Sequence, residues 1–499
     1  MCIVGGGIAG LTCAYLLLSE GRHVTLLDDG PIGGGETART TAHLASMQDD
    51  RFSVLERHHG KRAIELIAES HAAAIDKIES ICANENIQCS FRRLDGYLFN
   101  PPNGSPTFLE RELAAARRAG LRSAEMVVRV PLPGFDTGPA IRIPRQAQLH
   151  PLAYLRGLAR AVERLGGAIH TGVHVEHVDS GTPATLRLRG GRRLRADSVI
   201  VATNAPIVSR VGLPIRQAAF RSYVIAMAIP KGMVPLGLYW DTDEPYHYAR
   251  LVGEDGEAAG DTLVVGGEDH RTGQATDAAQ RYDRLEEWAR TRFPAAGAVV
   301  ARWSGQVMEP ADGIAFIGRA PGTSKNVYVV TGDSGQGMTH GTLGAMLIAD
   351  LVAGRDNPWA PVYDPRRSVM RSAGSVLKEN ANTTMQYFDW LRGGDVGSVE
   401  EVPRGQGAIV RRGARLLAVY RDESGRCLTR SAVCPHLGGI VAFNAAEKTW
   451  DCPCHGSRFD VEGHVINGPA ASDLAPVEVD HPEPVSEGAP AHGGRPSRL

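Results

Sequence analysis

The first 29 residues constrain the fold of this chain more than any other segment. A short apolar run is followed by the turn GGGIAG, by a stretch with helical apolar spacing, and by a second apolar run that ends at Asp28. This order of strand, tight turn, helix, strand and acid is typical of a dinucleotide-binding βαβ unit. Gly5 permits the turn, and Gly7 lets the backbone approach a pyrophosphate. Gly10 allows close packing of helix on strand, and Asp28 is placed to accept hydrogen bonds from a ribose.

Length and composition indicate a globular protein of several domains. The chain has 499 residues, which suggests about three domains at roughly 150 residues each. Its 54 Lys and Arg against 56 Asp and Glu give a net charge of −2, which argues against binding to nucleic acid. No apolar run approaches the ~20 residues that cross a bilayer, so we expect no membrane insertion and a cytoplasmic location. Because the first strand starts at the second residue, we also expect the natural chain to begin upstream of Met1.

Four of the eight cysteines lie close together near the carboxyl end. Cys434 and His436 form a C-x-H pair in the segment CPHLGG, and Cys452 and His455 form a C-x-x-H pair in CPCHGS. Crowded cysteines with histidines indicate a metal rather than a disulfide framework. Two thiolates and two imidazoles fit either a mononuclear zinc ion or an iron–sulfur cluster.

Three later segments carry glycines and hydroxyl side chains of the kind a dinucleotide site needs. They are GGGETARTTAH after the second strand, SVIVATN in mid-chain, and NVYVVTGDSGQGMTHG before a long apolar helix. With the opening βαβ unit, this ordered set resembles the FAD-dependent oxidoreductases of the D-amino-acid-oxidase superfamily over residues 1–355. The resemblance implies an FAD bound by Gly5, Gly7, Gly10, Asp28, Thr40, Thr41, Ala202, Thr203, Gly332, Gly335, Gln336, Gly337 and Met338.

The same resemblance implies an α/β fold, with a Rossmann-like FAD-binding domain and an α+β antiparallel-sheet substrate domain. The helix that begins near Gly335 is expected to direct its N-terminus at the flavin, where its positive end favours the reduced, anionic ring. Covalent attachment of the flavin to His43 is an alternative. We assign residues 1–90, 143–210 and 303–355 to the FAD-binding domain, and residues 91–142 and 211–302 to the substrate domain.

A segment of the substrate domain combines aromatic and cationic side chains. Tyr246, Tyr248 and Arg250 alternate along it, and His270 follows in a later polar loop. Such a set suits a pocket that stacks a flat ring and holds an anion. The competing interpretation is an ordinary strand that presents its tyrosines to one face.

The segments CPHLGG, CPCHGSRFD and NGPA together resemble the Rieske [2Fe-2S] domain, which favours the cluster over zinc. The resemblance implies that Cys434 and Cys452 bind one iron and that His436 and His455 bind the other. The surrounding sequence has the pattern of short strands with alternating apolar residues, which predicts a small all-β Rieske domain. We assign residues 395–480 to this domain, 356–394 to a linker with a helix from about Arg367 to Leu391, and 481–499 to a disordered tail.

Two positions near the predicted cluster, Gly439 and Phe459, depart from respiratory-type Rieske domains. There a cysteine at the place of Cys454 is bridged to a second cysteine, but Gly439 occupies the partner's place, so we expect Cys454 to be a thiol. Ser457 is placed to donate a hydrogen bond to a cluster sulfide. Phe459 stands where high-potential relatives carry tyrosine. One donor is therefore kept and one lost, and we expect an intermediate reduction potential.

Together these features predict an FAD-dependent oxidoreductase that oxidises the C–N bond of an amine or amino acid. Its partners would be a small-molecule substrate and an external acceptor or donor of electrons, reached through the cluster. No general base is assigned, because oxidation of an amine by a flavin needs alignment more than a dedicated base. Two alternatives remain. One is an electron-transfer protein without an organic substrate, and the other is an O2-using oxidase in which the cluster is structural or regulatory.

Overall fold

The computed structural model describes residues 1–477 apart from 103, 209–211, 254–259, 324, 369–372 and 392. The predicted tail and the last residues of the predicted Rieske domain lie outside the described residues. In the described part, no helix is both long and apolar enough to cross a membrane. The helices are α1 (Ile8–Ser19), α2 (Phe52–His59), α3 (Lys61–Asn84), α4 (Pro106–Arg118), α5 (Pro151–Arg164), α6 (Ala278–Arg292), α7 (Gly337–Ala353), α8 (Ala360–Tyr363) and α9 (Ala373–Gln386).

The strands form five sheets in the described part of the chain. They are β1 (Cys2–Val4), β2 (Thr25–Leu27), β3 (His43–Leu44), β4 (Arg92–Phe99), β5 (Glu125–Val127), β6 (Ala140–Gln148), β7 (Ala168–His170), β8 (Val175–Asp179), β9 (Ala184–Leu188), β10 (Arg193–Ala196), β11 (Val199–Val201), β12 (Gln217–Ile229), β13 (Leu238–Asp241), β14 (His247–Val252), β15 (Asp261–Arg271), β16 (Val299–Pro310), β17 (Phe316–Arg319), β18 (Val327–Thr331), β19 (Gln406–Arg412), β20 (Arg415–Arg421), β21 (Cys427–Ser431), β22 (Ala442–Asn444), β23 (Thr449–Asp451), β24 (Arg458–Asp460) and β25 (Val465–Asn467).

A six-stranded sheet has the order β17-β18-β11-β1-β2-β7. Its neighbouring strands are parallel except for β17, which pairs antiparallel with β18. Strands β1, β11 and β18 are buried along their whole length, as expected of apolar strands in a parallel sheet covered by helices. Helix α7 packs closely on α1, because a Cβ on Gly341 would lie only 2.8 Å from Ile8 Cγ2. The predicted Rossmann-like unit is confirmed.

A nine-stranded sheet has the order β16-β12-β15-β14-β13-β4-β6-β3, with β5 beside β6. Its neighbouring strands are antiparallel except for β13 and β4. Helix α6 covers it through Leu285 and Trp288, which pack on Ile225 and its buried neighbours. The antiparallel substrate sheet is therefore confirmed, although it also takes in β3, most of β6 and β16. These strands come from segments assigned to the FAD-binding domain, so the chain crosses between the two domains inside strands.

The C-terminal part contains two small antiparallel sheets, β19-β20-β21 and β22-β23-β24-β25. Trp450 and Phe459 lie fully buried in one core together with Leu416 and Ala418. A third small sheet, β10-β9-β8, belongs to the first half of the molecule. The predicted all-β domain is confirmed.

The segment predicted as a linker is partly built into the first domain. Trp359 and Tyr363, at the two ends of α8, are buried in the core that also holds residues of α1 and α7. Arg367 pairs with Asp312 at 2.7 Å, and both side chains are buried. Arg367 itself is not helical, and the described part of the helix predicted from about Arg367 to Leu391 spans Ala373–Gln386.

Candidate active site and metal centre

A cavity of about 710 Å³ is lined by residues of both large sheets. It brings together segments that lie hundreds of residues apart in the chain. Gly10 and Gly332, predicted to bind FAD, do not line it. The predicted FAD-binding residues found in its wall are Gly5, Gly7, Asp28, Thr40, Thr41, Ala202, Thr203, Gly335, Gln336, Gly337 and Met338.

The turn before α1 leaves no room for side chains. Gly5 has a φ of +107°, and a Cβ there would lie 2.3 Å from the Ala202 carbonyl oxygen. A Cβ on Gly10 would lie 1.8 Å from the Gly5 carbonyl oxygen. Gly10 therefore does not contact the cavity but allows α1 to pack closely against the turn after β1. Helix α1 has no acidic residue in its first turn and no side-chain cap. Its N-terminus therefore fits a dinucleotide diphosphate.

Asp28 follows β2 at the cavity wall. Its carboxylate accepts hydrogen bonds from the amides of Gly6 at 2.5 Å and Gly30 at 2.8 Å. Burial raises the pKa of Asp28, and the two amides oppose that rise. The bonds fix the carboxylate at the wall, while its contact with a ribose stays a prediction.

The nine-stranded sheet builds the inner part of the cavity from aromatic side chains. Tyr246 and Tyr248 stack with ring centroids 5.8 Å apart, and Trp240 lines the same cavity. Glycines give the rings room: a Cβ on Gly266 would lie 2.1 Å from Tyr248 Cζ, and one on Gly96 would lie 2.8 Å from Trp240. An aromatic pocket of this kind suits a flat ring beside a small apolar substrate.

Five carboxyl groups crowd near the inner part, and sequence reasoning missed them. Asp49 and Asp333 line the cavity, and Asp50, Asp269 and Glu309 lie next to them. Burial raises the pKa of Asp49 to about 6 and the pKa values of Asp50, Asp269 and Asp333 to about 7. Burial and the four neighbouring carboxylates raise the pKa of Glu309 well above its usual value. The adjacent acids in the segment SMQDD were the one available signal in the sequence.

Arg250, predicted for the substrate pocket with the tyrosines, does not line the cavity. It lies on the same strand face as Tyr248, two residues further along β14, and is buried there. Its guanidinium donates to the carbonyl oxygens of Thr41 and Leu149, the latter at 3.3 Å. Burial lowers the pKa of Arg250 to about 10. The structure thus gives Arg250 backbone partners rather than a place in the wall.

Two histidines were singled out by the sequence, and the structure separates them. His270 lies outside the wall, where its Nε2 is 2.9 Å from the Tyr223 hydroxyl and its Nδ1 is 2.7 Å from the Arg271 carbonyl oxygen. His43 lines the cavity edge-on to Tyr248, with ring centroids 5.2 Å apart. Burial, together with Arg250, lowers the pKa of His43 to about 3. Covalent attachment of a flavin there stays a prediction.

The four predicted metal ligands converge on two loops of the C-terminal domain. Each loop is closed by its own backbone: Cys434 N donates to Gly439 O, and Cys452 N donates to Ser457 O, both at 2.8 Å. The rings of His436 and His455 lie edge-on with centroids 5.0 Å apart. The thiols of Cys434 and Cys452 lie within hydrogen-bonding reach of each other.

The protonation chemistry of these groups fits a bound metal. A hydrogen bond to Cys452, together with burial, raises the pKa of the Cys434 thiol well above its usual value. Burial lowers the pKa of His455 to about 4, so its imidazole is neutral and ready to bind. Thiols that are costly to ionise alone become thiolates when a metal compensates their charge. Two sulfur and two nitrogen donors at one place match a [2Fe-2S] cluster of the Rieske type.

Comparison with known families decides between the interpretations. A family described as FAD dependent oxidoreductase matches residues 1–351, and the Rieske [2Fe-2S] domain matches residues 394–478. The chain belongs to the FAD dependent oxidoreductase family. It carries a C-terminal Rieske domain, and its cofactors are FAD and a [2Fe-2S] cluster. The predicted superfamily, fold class and cofactors are confirmed, and the zinc alternative is set aside.

Similar proteins share this architecture in whole or in part. YhfW of Bacillus subtilis (strain 168), named as a Rieske 2Fe-2S iron-sulfur protein, is 30% identical over 481 residues, covering 96% of this chain and 93% of the relative. Gamma-glutamylputrescine oxidoreductase of Escherichia coli (strain K12) is 25% identical and covers 71% of this chain and 83% of its own. Glycine oxidase from Geobacillus kaustophilus superimposes with a TM-score of 0.62 at 19% identity, over 74% of this chain and 98% of its own, which shows the fold alone.

In the Rieske domain, Gly439 lies against Cys454. A Cβ on Gly439 would lie 2.5 Å from Cys454 Sγ, and Cys454 is a thiol. The Ser457 hydroxyl hydrogen-bonds the Cys434 sulfur and lowers the pKa of that thiol, while its oxygen accepts from the Ala470 amide at 3.0 Å. Phe459 is fully buried and offers no hydroxyl. Donation by Ser457 to a cluster sulfide stays a prediction.

The Rieske domain forms part of the wall of the FAD cavity. Five of its residues line that cavity: Val465, Ile466, Asn467, Gly468 and Ala470. Asn467 Nδ2 donates to Glu36 Oε1 of the FAD domain at 3.0 Å. Gln306, which also lines the cavity, donates from Nε2 to the carbonyl oxygen of Gly456 at 2.9 Å. Gly456 follows the predicted iron ligand His455, so one side chain links the cavity to the cluster loop.

A buried ion network holds the two domains together. Glu447 of the Rieske domain accepts from Arg221 and Ser304 of the nine-stranded sheet and from Arg458 of its own domain. The Arg221 and Arg458 side chains are 0% and 1% exposed. Arg458 also pairs with Asp451 at 3.0 Å. Removing one member of such a network leaves buried charge behind, so the interface is expected to be rigid.

Proposed function

We propose that the protein oxidises the C–N bond of an amine or amino acid and passes the electrons by way of its Rieske domain to an external acceptor. The observation that carries the proposal is the shared wall: residues 465–468 and 470 of the Rieske domain line the cavity that fits FAD. A redox cluster placed beside a flavin serves electron exchange between them. The relative named gamma-glutamylputrescine oxidoreductase adds support for an amine substrate.

Separate groups of residues would hold the FAD, the substrate and the cluster. FAD, when bound, supplies the acceptor for the two electrons that leave the amine as its C–N bond becomes C=N. The α1 N-terminus and the glycine turn would hold the diphosphate, and Tyr246 and Tyr248 would border the reacting amine. Cys434, Cys452, His436 and His455 would hold the cluster, which exchanges single electrons. Gln306 would fix the cluster loop against the cavity through the Gly456 carbonyl.

We also propose a reducing compartment, the cytoplasm. All eight cysteines are thiols, although Cys82 Sγ and Cys89 Sγ lie only 3.4 Å apart. Two thiols at that separation would oxidise readily outside a reducing environment.

Anaerobic titration of the holoenzyme tests the proposed route. A panel of amines and amino acids is added without oxygen, and the flavin absorbance and the cluster EPR signal are recorded together. The proposal expects a panel member to bleach the flavin and then to reduce the cluster. Reduction only by NADH or a reduced ferredoxin would support the electron-transfer alternative instead. Fast peroxide formation in air with a cluster that stays oxidised would support the oxidase alternative.

A further inference from the structure

Five carboxyl groups lie in or next to the inner part of the cavity, two of them in its wall. A Cβ built on Gly335 would lie 3.0 Å from Asp49 Oδ2 and 3.8 Å from the Tyr246 hydroxyl, so a carboxylate and a pocket tyrosine meet at the loop that begins α7. Asp333 lines the same cavity. Asp50, Asp269 and Glu309 stand close enough to these groups to repel them.

The nearby positive charges do not balance these acids. Arg51 lies near Asp49 and Asp50, but its guanidinium donates to the Asp241 carbonyl oxygen at 3.2 Å. Arg281 lies near Asp269, but it pairs with Asp277 at 2.8 Å. Five carboxyl groups therefore face two arginines: Arg281 is paired with Asp277, and Arg51 has a buried Nη1 without a partner among the described residues. An ammonium ion would gain a large electrostatic stabilisation here, because a buried site screens charge less than water does.

Acceptors without donors point to a ligand at this place. Gln336 is 5% exposed and lines the cavity, and its Nε2 donates to the Met47 carbonyl oxygen at 2.6 Å. Its buried Oε1 accepts no hydrogen bond from any described residue. Likewise, no described group donates in hydrogen-bonding geometry to either buried oxygen of Asp269, although the Ser222 and Tyr246 hydroxyls lie close by. An amide oxygen and a carboxylate left open in this way suit the N–H donors of an ammonium group.

The positive charge that these groups attract is not that of the reacting nitrogen. Oxidation of an amine by a flavin requires the neutral amine, and neighbouring carboxylates would keep that nitrogen protonated. The acids therefore suit a second cationic group, held away from the bond that is oxidised.

The wall also lacks a cation suited to a substrate carboxylate at its inner part. Among the described wall residues, the arginines are Arg39, Arg189 and Arg192. Arg39 donates to the Ser304 carbonyl oxygen at 3.1 Å, and Arg189 is exposed and pairs with Asp473 of the Rieske domain at 2.8 Å. Arg192 is exposed and directly precedes β10 of the small sheet β10-β9-β8. A simple α-amino acid would bring its carboxylate next to carboxylates and be repelled.

We propose that the substrate is an amine with a second positive charge, such as a diamine or polyamine, whose distal ammonium is held by Asp49 and Gln336 of the cavity wall, with Asp269 adding negative charge from behind the wall. This inference rests on the proposed function and specifies its substrate class. It distinguishes the cavity from one that selects amino acids by their carboxylate.

Three ligands of equal chain length test the inference: 1,4-diaminobutane, butylamine and 4-aminobutyrate. Each is titrated calorimetrically into dithionite-reduced holoenzyme, which cannot oxidise it. We expect the diamine to bind about tenfold or more tightly than butylamine, at the lower end of measured couplings between close charge pairs, and 4-aminobutyrate to bind most weakly. The variants Asp49→Asn and Asp269→Asn should lower the affinity for the diamine more than the affinity for butylamine and so remove the advantage of the diamine. Asp283→Asn, at an acid on α6 whose side chain is 71% exposed, is the matched control and should change nothing.

The outcomes separate this inference from the function on which it rests. Binding of 4-aminobutyrate as tight as that of the diamine would overturn the inference, as would an unchanged diamine affinity in both cavity variants. The oxidised holoenzyme is tested with the same ligands and with a panel of α-amino acids under anaerobic conditions. If an α-amino acid bleaches its flavin faster than the diamine does, the inference is wrong while amine oxidation stands. If no amine or amino acid bleaches the flavin, the proposed function itself is wrong.

Discussion

The two redox sites of this protein are assembled in opposite ways. The four predicted ligands of the Rieske site lie on two short loops, each closed by a backbone hydrogen bond between its own ends. The FAD cavity takes its wall from the first βαβ unit, the start of α7, the nine-stranded sheet and the Rieske domain itself. The first site depends on local chain geometry, and the second depends on the packing of the whole molecule. A substitution at the cluster should therefore affect the cluster alone, whereas a substitution at the cavity should affect the stability of the whole molecule.

Loss of a predicted cluster ligand should have the largest effect, complete loss of the cluster, and should leave the flavin in place. In Cys452→Ser, we expect the rhombic EPR signal of the dithionite-reduced protein to disappear, because one iron loses a thiolate. The flavin spectrum should remain, since the FAD domain keeps its own core. Cys427→Ser removes a thiol outside the two loops and serves as the control. Loss of flavin together with the cluster in Cys452→Ser would show that the two sites fold as one unit.

A substitution at Gly10 should affect the packing of the whole FAD domain rather than one site. In Gly10→Ala, the new Cβ would meet the Gly5 carbonyl oxygen at 1.8 Å, so α1 must move away from β1. Overpacking of this kind costs about 1–3 kcal/mol, and we expect a lower melting temperature and loss of bound FAD. Gly374→Ala, where a Cβ meets nothing within 4 Å, is the control. Flavin content equal to that of the wild-type protein would contradict the structural role given to Gly10.

The interface should show an intermediate effect. In Glu447→Gln, Arg221 and Arg458 lose their shared carboxylate, and breaking a buried ion pair costs about 3–5 kcal/mol. We expect both cofactors to stay bound, while transfer of electrons to the cluster, followed by rapid-mixing absorbance and freeze-quench EPR, becomes slower. Glu462→Gln changes an exposed acid of the same domain and should leave the rate unchanged. An unaltered transfer rate in Glu447→Gln would mean that the network does not set the domain orientation.

The acidic part of the cavity should respond to pH. The carboxyl pKa values raised by burial, about 6 for Asp49 and about 7 for Asp50, Asp269 and Asp333, mean that these groups change from largely neutral to largely charged between about pH 5 and pH 8. The titratable and charged groups that face them are Arg51, Arg281, Glu36, Tyr246, Tyr248, Glu309 and Asp312.

The affinity of reduced holoenzyme for 1,4-diaminobutane should therefore rise with pH across this range. For each unit by which the bound ammonium lowers a carboxyl pKa, the affinity of the ionised site should exceed that of the neutral site about tenfold. The free diamine stays doubly protonated throughout, and butylamine shares any loss of a proton from the reacting nitrogen, so the difference between the two ligands reports the carboxyl groups. Butylamine should show a weaker dependence. A diamine affinity that is flat or falls with pH would contradict the ionisation of these carboxyl groups.

The smallest predicted effect concerns the cluster potential. In Ser457→Ala, the Cys434 sulfur loses the hydroxyl donor, and the midpoint potential measured by redox titration should fall. Phe459→Tyr adds a hydroxyl in the same core and should raise the potential if that hydroxyl reaches the cluster loops. A Ser457→Ala potential equal to that of the wild-type protein would show that the hydroxyl does not act on the sulfur.

The local character of the Rieske site also explains what the sequence could predict. Cys434, His436, Cys452 and His455 stand in two short motifs whose spacing alone places their donors on paired loops. The glycine turn was predictable for the same reason, because Gly5 and Gly10 act on neighbours within one βαβ unit. Asp269 and Glu309 were not, since nothing near them in the chain reports that strands β15 and β16 bring them to Asp49. Arg250 illustrates the same limit: alternation placed it on the face of Tyr248, but not its backbone partner Thr41.

Electrons taken from a substrate in the cavity should reach the cluster inside the same chain. Rapid mixing of oxidised holoenzyme with 1,4-diaminobutane without oxygen, sampled by flavin absorbance and freeze-quench EPR, measures this transfer directly. We expect flavin bleaching to be followed, within one turnover, by the rhombic signal of the reduced cluster. A bleached flavin beside a cluster that stays oxidised, although dithionite reduces it, would show that electrons do not pass from the flavin to the cluster.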